Sequence, residues 1–220
     1  MNRTGDETLQ VGGIVLCGGR SSRMGQPKHL LPFGQETMLQ RVVRLLDGVV
    51  SPIVVVAAPN QQLPSLPDEV AIVHDEREHL GPLAGLLTGF NAIGPSVGAA
   101  YVSGCDVPLL EPAFVRRLVH CLGNYDLAIP REGEFYHPLA AVYRIRLRNT
   151  VQSLIEQGRM RPLFLVESSN SNVVDVEKLR DVDPQLDSLR NINAPDDYRS
   201  ALMRAGLQVD SGSDLGALSS

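Results

Sequence analysis

The chain has 220 residues, of which 43% are hydrophobic and 20% are charged, as is ordinary for a globular protein with a substantial core. Its net charge of −5 at pH 7 argues against nonspecific binding to nucleic acid or to an anionic membrane surface. Three widely spaced cysteines argue against a disulfide framework or a zinc site. No apolar run reaches the roughly 20 residues of a membrane span, and the polar N-terminus lacks the apolar stretch of a signal peptide. We therefore expect a cytoplasmic protein that binds neither nucleic acid nor membrane.

Apolar runs alternate with segments of helical spacing along the chain. Strands are expected at Gly13–Cys17, Ile53–Ala57, Val70–Val73, Ala99–Ser103, Asp126–Ile129, Leu139–Tyr143, Phe164–Val166 and Asn172–Val176. Helices are expected at Thr37–Val50, Pro82–Ile93, Pro112–Leu122, Leu147–Gln157 and Pro195–Ala205. Residues 1–10 and 205–220 are small and polar, so we expect disordered tails on either side of a single domain of residues 11–204.

This alternation predicts an α/β fold, a Rossmann-like three-layer α/β/α sandwich around a mostly parallel sheet. Strands of such a sheet are covered on both faces, which explains why they are continuous apolar runs. Ligands in open α/β sheets bind beyond the carboxyl ends of the strands. The binding sites should therefore lie directly after Leu16, Ala57, Val73 and Ser103.

A loop rich in glycine and positive charge follows the first strand directly. Its glycines and cations are Gly18, Gly19, Arg20, Arg23, Gly25 and Lys28. Glycines allow the backbone to turn tightly and to bring N–H groups close to a phosphate. The spacing matches neither a Walker A loop nor the Rossmann fingerprint. A surface turn with solvated basic residues is the alternative, but three glycines and three cations in so short a span favour a phosphate site.

The stretch LCGGRSSRMGQPKHLLPFG resembles the L-A-G-G-x-S-x-R-M-G-x-x-K-x-L-L-P signature of the nucleotidyltransferase superfamily that includes the molybdenum-cofactor guanylyltransferases. The resemblance, from about Val11 to Leu202, implies a fold of the nucleotide-diphospho-sugar transferase type. It also implies that Lys28 and Arg23 neutralise phosphate charge. It implies further that the base and the phosphates are held by the backbone of Leu16, Cys17, Gly18 and Gly19. Pro27 stands where many guanylyltransferases have Asp. In this departure the position resembles the sugar-1-phosphate and cytidylyl branches.

Asp106 follows the expected strand Ala99–Ser103 and precedes Pro108. A carboxylate there is placed to hold Mg²⁺ that bridges phosphate oxygens, because magnesium takes one or two protein carboxylates besides phosphates. From the residues alone, a turn or helix N-cap aspartate is an equal alternative. The string Cys-Asp-Val-Pro at 105–108 resembles the metal-binding stretch of the family. It favours guanylyl transfer, since the cytidylyl branch more often carries Asp-Gln-Pro.

Two further segments are expected to contact the nucleotide. Asp75 follows the third strand, and the resemblance implies a contact with the base or ribose; an exposed loop acid is the alternative. The segment GPLAG at 81–85 opens a helix, where backbone donors and the helix dipole favour an anion. The family has the same motif near the nucleotide. This implies that Gly81, Pro82 and Gly85 bind the nucleotide by shaping its pocket and not by chemistry of their side chains.

Three segments resemble family motifs near the second substrate, a pterin phosphate. His137 begins a stretch similar to H-P-x-x-A-x-Y, and a structural histidine is the alternative. Arg159 and Arg161 lie in a second such stretch, with solvated loop arginines as the alternative. Residues 191–197 resemble N-x-N-T-P-E-D, which implies that Asn191 reaches the active site and that Asn193 caps the last helix.

The resemblance implies Mg²⁺-dependent transfer of GMP from GTP to molybdopterin, with release of pyrophosphate. Such chemistry depends on positioning and charge stabilisation, so no protein nucleophile is needed. The alternatives are a cytidylyltransferase or sugar-1-phosphate nucleotidyltransferase of the same fold, or a nucleotide-binding scaffold without catalysis. Transient contact with other molybdenum-cofactor enzymes is also expected, while the sequence indicates no oligomeric state.

Overall fold

The computed structural model describes residues 9–18, 26–75 and 81–208. The strands are β1 (Val11–Leu16), β2 (Pro32–Phe33), β3 (Glu36–Thr37), β4 (Ile53–Ala57), β5 (Ala71–His74), β6 (Ala99–Gly104), β7 (Leu127–Glu132), β8 (Phe135–Tyr136), β9 (Ala140–Arg144) and β10 (Ser171–Asp175). The α-helices are α1 (Met38–Asp47), α2 (Pro82–Ala92), α3 (Pro112–Leu122), α4 (Arg148–Glu156), α5 (Leu163–Glu167) and α6 (Pro195–Arg204). Short 3₁₀ helices are Lys28–Leu30, Ile145–Leu147, Val176–Leu179 and Asp187–Leu189.

The main sheet is mostly parallel, as predicted. Its strand order is β10-β7-β9-β6-β1-β4-β5, and β8 pairs with β7. β1 is parallel to both β4 and β6, β4 is parallel to β5, and β7 is parallel to β10. β9 is antiparallel to both of its neighbours, β6 and β7. The β6–β9 pairing therefore brings the start of β9 to the edge at which β6 ends.

Helices cover both faces of this sheet, which confirms the three-layer sandwich. Ile14 and Val15 are adjacent on β1 and fully buried, yet they belong to clusters on opposite faces because successive strand side chains alternate. The cluster around Val15 includes residues of α1 and α3. The cluster around Ile14 includes residues of α2, α4 and α5. Within the described ranges, no helix has both the length and the apolar character needed to cross a bilayer.

A third, smaller cluster joins the β2–β3 hairpin to α6. Phe33, Met38, Ile192 and Leu202 are buried in it, and the Tyr198 hydroxyl donates to the carbonyl of Pro32. Ala205 and Leu207 also pack against this cluster. The residues directly after α6 therefore still pack against the hairpin. The cluster fixes the segment before α6 beside the residues that follow the Gly-rich loop.

The predicted strand at Phe164–Val166 is wrong, because these residues lie in the helix α5. Backbone N–H groups of Phe164 and Leu165 donate to the carbonyls of Arg161 and Pro162, a helical turn that opens at a proline. Leu165 is fully buried among residues of α2 and α4. A short apolar run does not distinguish a strand from a buried helical turn, since both can be covered on all sides.

Candidate active site

The ends of β1, β4, β5 and β6 lie at one edge of the sheet because these strands run in the same direction. In the register of the sheet, Leu16 pairs with Val56 and with Gly104. Ala57 pairs with His74. Cys17, Ala58 and Asp75 follow these strand ends directly, and Asp106 lies two residues after Gly104. These strand ends therefore share one edge, as expected, and the binding of a ligand at this edge stays a prediction.

Lys28, Asp106 and Asn193 meet at this edge although Lys28 and Asn193 are 165 positions apart. Lys28 Nζ lies 3.2 Å from Asp106 Oδ2 and donates to Asn193 Oδ1 at 2.7 Å. The side chains of Lys28 and Asp106 are each 16% exposed, so water screens their charges less than it would on an open surface. The group offers a phosphate one cation and offers a metal ion one carboxylate.

The backbone around Asp106 is fixed on both sides. The N–H of Cys105 donates to the carbonyl of Leu16 at 3.2 Å, and the N–H of Ile192 donates to the carbonyl of Asp106 at 2.8 Å. Gly104 matters as well, because a Cβ at this position would lie 2.6 Å from Asp106 Oδ1. The carboxylate can therefore fold back over the strand end only where residue 104 has no side chain.

Asn193 does not cap α6, contrary to the prediction. The N-cap residue is Ala194, and the Asp197 carboxylate accepts from the N–H groups of Asn193 and Ala194 at 2.9 and 2.8 Å. An acid in the first turn thus satisfies the free backbone donors, as in one half of a capping box. This leaves the side chain of Asn193 to accept from Lys28. Asn191 is exposed, two residues before Asn193.

Asp75 is held by α2 rather than left as a free loop acid. Its backbone N–H donates to Ala57, and Asp75 Oδ1 accepts from the Thr88 hydroxyl at 2.7 Å. A Cβ at Gly85 would lie 3.3 Å from the side chain of Leu16 and 3.7 Å from Asp75 Oδ2. Gly85 thus permits the close approach of α2 to the strand ends.

The start of α2 depends on Gly81. Gly81 precedes the helix with φ of +80°, a conformation that other residues rarely adopt, and Pro82 occupies the first helical position. Both residues are exposed. The first turn of α2 therefore presents accessible backbone to the edge where Asp75 lies.

Cys17 and Cys105 form a buried pair of thiols at the same edge, 4% and 8% exposed. The hydrogen bond between the two thiols, together with burial, raises the pKa of the Cys105 thiol well above its ordinary value. Cys105 therefore packs as a small, neutral side chain, and the buried Cys17 packs beside it. This explains how Cys17 can occupy a position where the signature has alanine.

His137 lies at the same edge, three residues before the start of β9, where Ala140 pairs with Ser103 of β6. Its ring packs edge-to-face on Phe135 at 5.1 Å between centroids, and Phe135 is 67% exposed. Among the described residues, His137 Nε2 is buried with no hydrogen-bond partner. Burial lowers the pKa of His137, opposed by the charge of Glu132. The ring thus presents an unpaired polar nitrogen at the side of the site beyond Asp106.

Arg159 contacts two residues of α5. Its guanidinium stacks on Phe164 at 4.2 Å and lies 3.6 Å from a carboxylate oxygen of Glu167. Arg161, at the turn into α5, is exposed. The structure therefore connects Arg159 to α5, and the contacts described do not bring either arginine to the Lys28, Asp106 and Asn193 group.

Proteins similar to this chain match it over most of its length. Residues 13–172 match the MobA-like NTP transferase domain. The chain belongs to the MobA-like NTP transferase family. It is a nucleotidyltransferase, as the Gly-rich loop implied.

Two MobA-like relatives and one solved structure extend this match. The chain is 36% identical over 193 residues to a probable molybdenum cofactor guanylyltransferase of Methanothermobacter thermautotrophicus, covering 84% of this chain and 95% of that protein. It is 34% identical to a protein of the same description from Mycobacterium avium, covering 88% and 96%. The crystal structure of molybdopterin-guanine dinucleotide biosynthesis protein A from Archaeoglobus fulgidus superposes with a TM-score of 0.72 at 24% identity, covering 90% of this chain and 99% of that one. This likeness confirms the fold.

The residues around Asp106 are chemically compatible with a magnesium ion held mainly by substrate phosphates. In the part of the chain that the structure describes, no three His, Cys, Asp or Glu side chains form a metal cluster. Magnesium is often bound by one or two carboxylates together with substrate phosphates. The partly exposed carboxylate of Asp106 fits this mode, in which the nucleotide supplies further oxygens.

Two of the predicted residues cannot be placed, and three residues at this edge of the sheet were not predicted. Gly19 and Arg23 lie outside the described residues, so their predicted roles stay predictions. Gly104, His29 and Gln61 were not predicted. Gly104 precedes Cys105-Asp106 directly, and a glycine beside a candidate ligand is a signal that could have been used. His29 follows Lys28, but nothing in the sequence indicates that its ring is buried.

Proposed function

We propose that the chain transfers GMP from GTP to molybdopterin, forming the guanine dinucleotide cofactor and pyrophosphate. A phosphate oxygen of the acceptor attacks the α-phosphorus of GTP. The bond from the α-phosphorus to the oxygen that bridges to the β-phosphate breaks, and its electron pair leaves with pyrophosphate. The meeting of Lys28, Asp106 and Asn193 at the carboxyl edge is the observation that chiefly supports the proposal. The descriptions of the relatives support the choice of guanine and molybdopterin.

Charge stabilisation is the main task of the protein in this reaction, because negative charge moves onto the leaving pyrophosphate. Lys28 is held by two oxygen acceptors, Asp106 and Asn193, so its ammonium is oriented before the nucleotide binds. Preorganised charge costs no rearrangement at the moment of reaction. Arg23 is proposed to add a second cation. No protein nucleophile is required.

The nucleotide is proposed to lie along the ends of β1, β4 and β5. The backbone of residues 16–19 would face the base and the phosphates, Asp75 would face the base or ribose, and the 81–85 turn would shape the pocket. Asp106 would hold Mg²⁺, which when bound neutralises phosphate oxygens and orients them. Thr88 fixes the carboxylate of Asp75 for such a contact.

The acceptor is proposed to bind on the other side of Asp106, where His137 lies. The buried Nε2 of His137 has no partner in the described chain, which is a costly state for a polar atom unless a ligand or water satisfies it. Asn191 and Asn193 lie between this side and Lys28 in the proposed arrangement. Arg159 and Arg161 would meet the pterin phosphate only after leaving their present surroundings.

A panel of nucleotides tests the proposal. The full chain is incubated with Mg²⁺, molybdopterin and one of GTP, CTP, ATP or UTP, and pyrophosphate release is measured. Release with GTP well above the other three is expected. Binding of GTP without any release would instead indicate a scaffold, and would overturn the assignment as an active guanylyltransferase.

A cytidylyltransferase or sugar-1-phosphate nucleotidyltransferase is the second candidate, favoured by Pro27. Pro27 is exposed and directly precedes the 3₁₀ helix that carries Lys28. Faster release from CTP than from GTP, or use of a sugar 1-phosphate as acceptor, would select this candidate. Repeating the panel with Pro27→Asp would then show whether this position sets the preference.

A further inference from the structure

Behind Lys28, two polar side chains that no motif predicted are bonded to each other. His29 follows Lys28 in the 3₁₀ helix and is only 5% exposed. His29 Nε2 lies 2.8 Å from the carbonyl oxygen of Gln62, and His29 Nδ1 lies 3.0 Å from Gln61 Nε2. Both ring nitrogens are therefore engaged, so the orientation of this buried ring is fixed.

The orientation of the Gln61 amide follows from two backbone groups. The N–H of Ala58 donates to Gln61 Oε1 at 2.7 Å, and Gln61 Nε2 donates to the carbonyl of Cys17 at 3.1 Å. A reversed amide would place its nitrogen against an N–H and its oxygen against a carbonyl. The amide is therefore fixed, with its second hydrogen directed to His29.

These bonds assign the tautomer of His29. Because the Gln61 nitrogen can only donate, His29 Nδ1 must accept. Because the Gln62 carbonyl can only accept, His29 Nε2 must carry the proton. A neutral ring protonated at Nε2 satisfies every partner. A doubly protonated ring would place an N–H against the hydrogens of Gln61.

Through this network one side chain connects three parts of the site. Gln61 contacts the residue that follows β1, where the Gly-rich loop begins, and the residue that follows β4. Through His29 it also contacts the short helix whose first residue is Lys28. The distance between Lys28 and the start of the loop is thus set by hydrogen bonds and not by the backbone alone.

We propose that His29 and Gln61 are positioning residues for nucleotidyl transfer. They hold the Lys28 helix at a fixed distance from the backbone of Cys17, so that the Lys28 ammonium and the backbone after β1 can act on the same phosphate group. This inference rests on the proposed function. A small misplacement of a catalytic group can cost up to about 100-fold in rate, so the network has a measurable role without touching the substrate.

Matched variants test this positioning. His29→Leu and Gln61→Leu keep side-chain bulk and remove the bonds, and each should lower kcat by about 10- to 100-fold with a smaller change in the KM for GTP. His29→Asn offers an acceptor near the position of Nδ1 and should recover much of the loss. The double Leu variant should be about as slow as the slower single variant, because the two residues act as a unit. His120→Leu and Gln152→Leu, both exposed on helices, are the controls.

A second measurement needs no activity. In the full chain labelled with ¹⁵N-histidine, the His29 ring should show the tautomer protonated at Nε2, and Gln61→Leu should shift its Nδ1 resonance. A doubly protonated ring, or the other tautomer, at pH 7 would overturn the network. Wild-type kcat in both Leu variants would overturn the positioning role while leaving the proposed function intact. If the wild-type chain releases pyrophosphate from no nucleoside triphosphate, the proposed function and this role fail together, whereas the spectrum still decides the hydrogen bonds.

Discussion

Two histidines at the carboxyl edge of the sheet have opposite surroundings. Both ring nitrogens of His29 have partners within the protein. His137 Nε2 is buried with no partner in the described chain, and the neighbouring Phe135 is largely exposed. On the Lys28 side of the site the His29 ring is thus satisfied before any ligand binds, whereas the His137 side is left with an unsatisfied polar atom in the described chain. On the proposed function, the first side acts on GTP and the second is completed by the acceptor.

Replacing Lys28 should have the largest effect on kcat, because its ammonium is the cation that the structure describes on this side of the site. Lys28→Ala should lower kcat by about 100- to 1,000-fold, the loss typical of removing one preorganised charge stabiliser. The measurement is steady-state pyrophosphate release, with circular dichroism to show that the fold is kept. Lys178→Ala is the matched control, because Lys178 is exposed on a distant 3₁₀ helix. Wild-type kcat in Lys28→Ala would show that Lys28 does not stabilise charge in the reaction, contrary to the proposed function.

Gly104→Ala tests whether the position of the Asp106 carboxylate matters. The new Cβ would lie 2.6 Å from Asp106 Oδ1, so the carboxylate must move. We expect kcat to fall by about 10- to 100-fold and the Mg²⁺ concentration for half-maximal rate to rise. Gly48→Ala is the control, since its nearest neighbour would be 4.0 Å away. An unchanged Mg²⁺ dependence would argue against a metal-binding role for Asp106.

Thr88→Val should have a smaller effect, confined to the nucleotide. It removes the hydroxyl that donates to Asp75 Oδ1 at 2.7 Å and keeps the shape of the side chain. Loss of about 1 kcal/mol, roughly fivefold in the KM for GTP, is expected, with kcat almost unchanged. Thr150→Val on α4 serves as the control. A change in the KM for the acceptor alone would contradict the division of the edge into two sides.

His137 should give the smallest effect, which appears in stability. Burial lowers the pKa of His137 in the folded chain, so the unfolded chain takes up the proton first as the pH falls through about 6.5. Stability is therefore lost between that pH and the lower pKa of the folded state. His137→Asn should show a smaller drop in Tm than the wild type between pH 7.5 and 5.5. His120→Asn, at an exposed position, is the control. Equal drops in the wild type and in His137→Asn would contradict the lowered pKa of His137.

The sequence predicts the sheet and the edge of the site well, for a physical reason. Parallel strands buried on both faces are continuous apolar runs, and their ends must share an edge. Asp106 follows β6, which is buried on both faces, whereas Asp75 follows β5, an edge strand that is largely exposed but ends at the same edge of the sheet. The short helix α5 was misassigned because four apolar residues in a row carry no periodicity.

The contacts between distant segments could not be predicted in the same way. The bond from Lys28 to Asn193 depends on the docking of Ile192 against the backbone of Asp106, which no local pattern indicates. Asn193 does not take the capping role expected for it, because the helix begins one residue later, after the N-cap Ala194, and the Asp197 carboxylate accepts from the N–H groups of Asn193 and Ala194. The burial of His29 follows from the path of residues 58–62, which form neither helix nor strand.

The reversed direction of β9 has a consequence for how such an enzyme can change. In a purely parallel sheet, the strand connections at the ligand edge all begin where a strand ends. Because β9 runs the other way, His137 precedes its strand and belongs to the β8–β9 connection. On the proposed function, the length and side chains of that connection could change to suit a new acceptor while β1, β4 and β5 keep their contacts with the triphosphate.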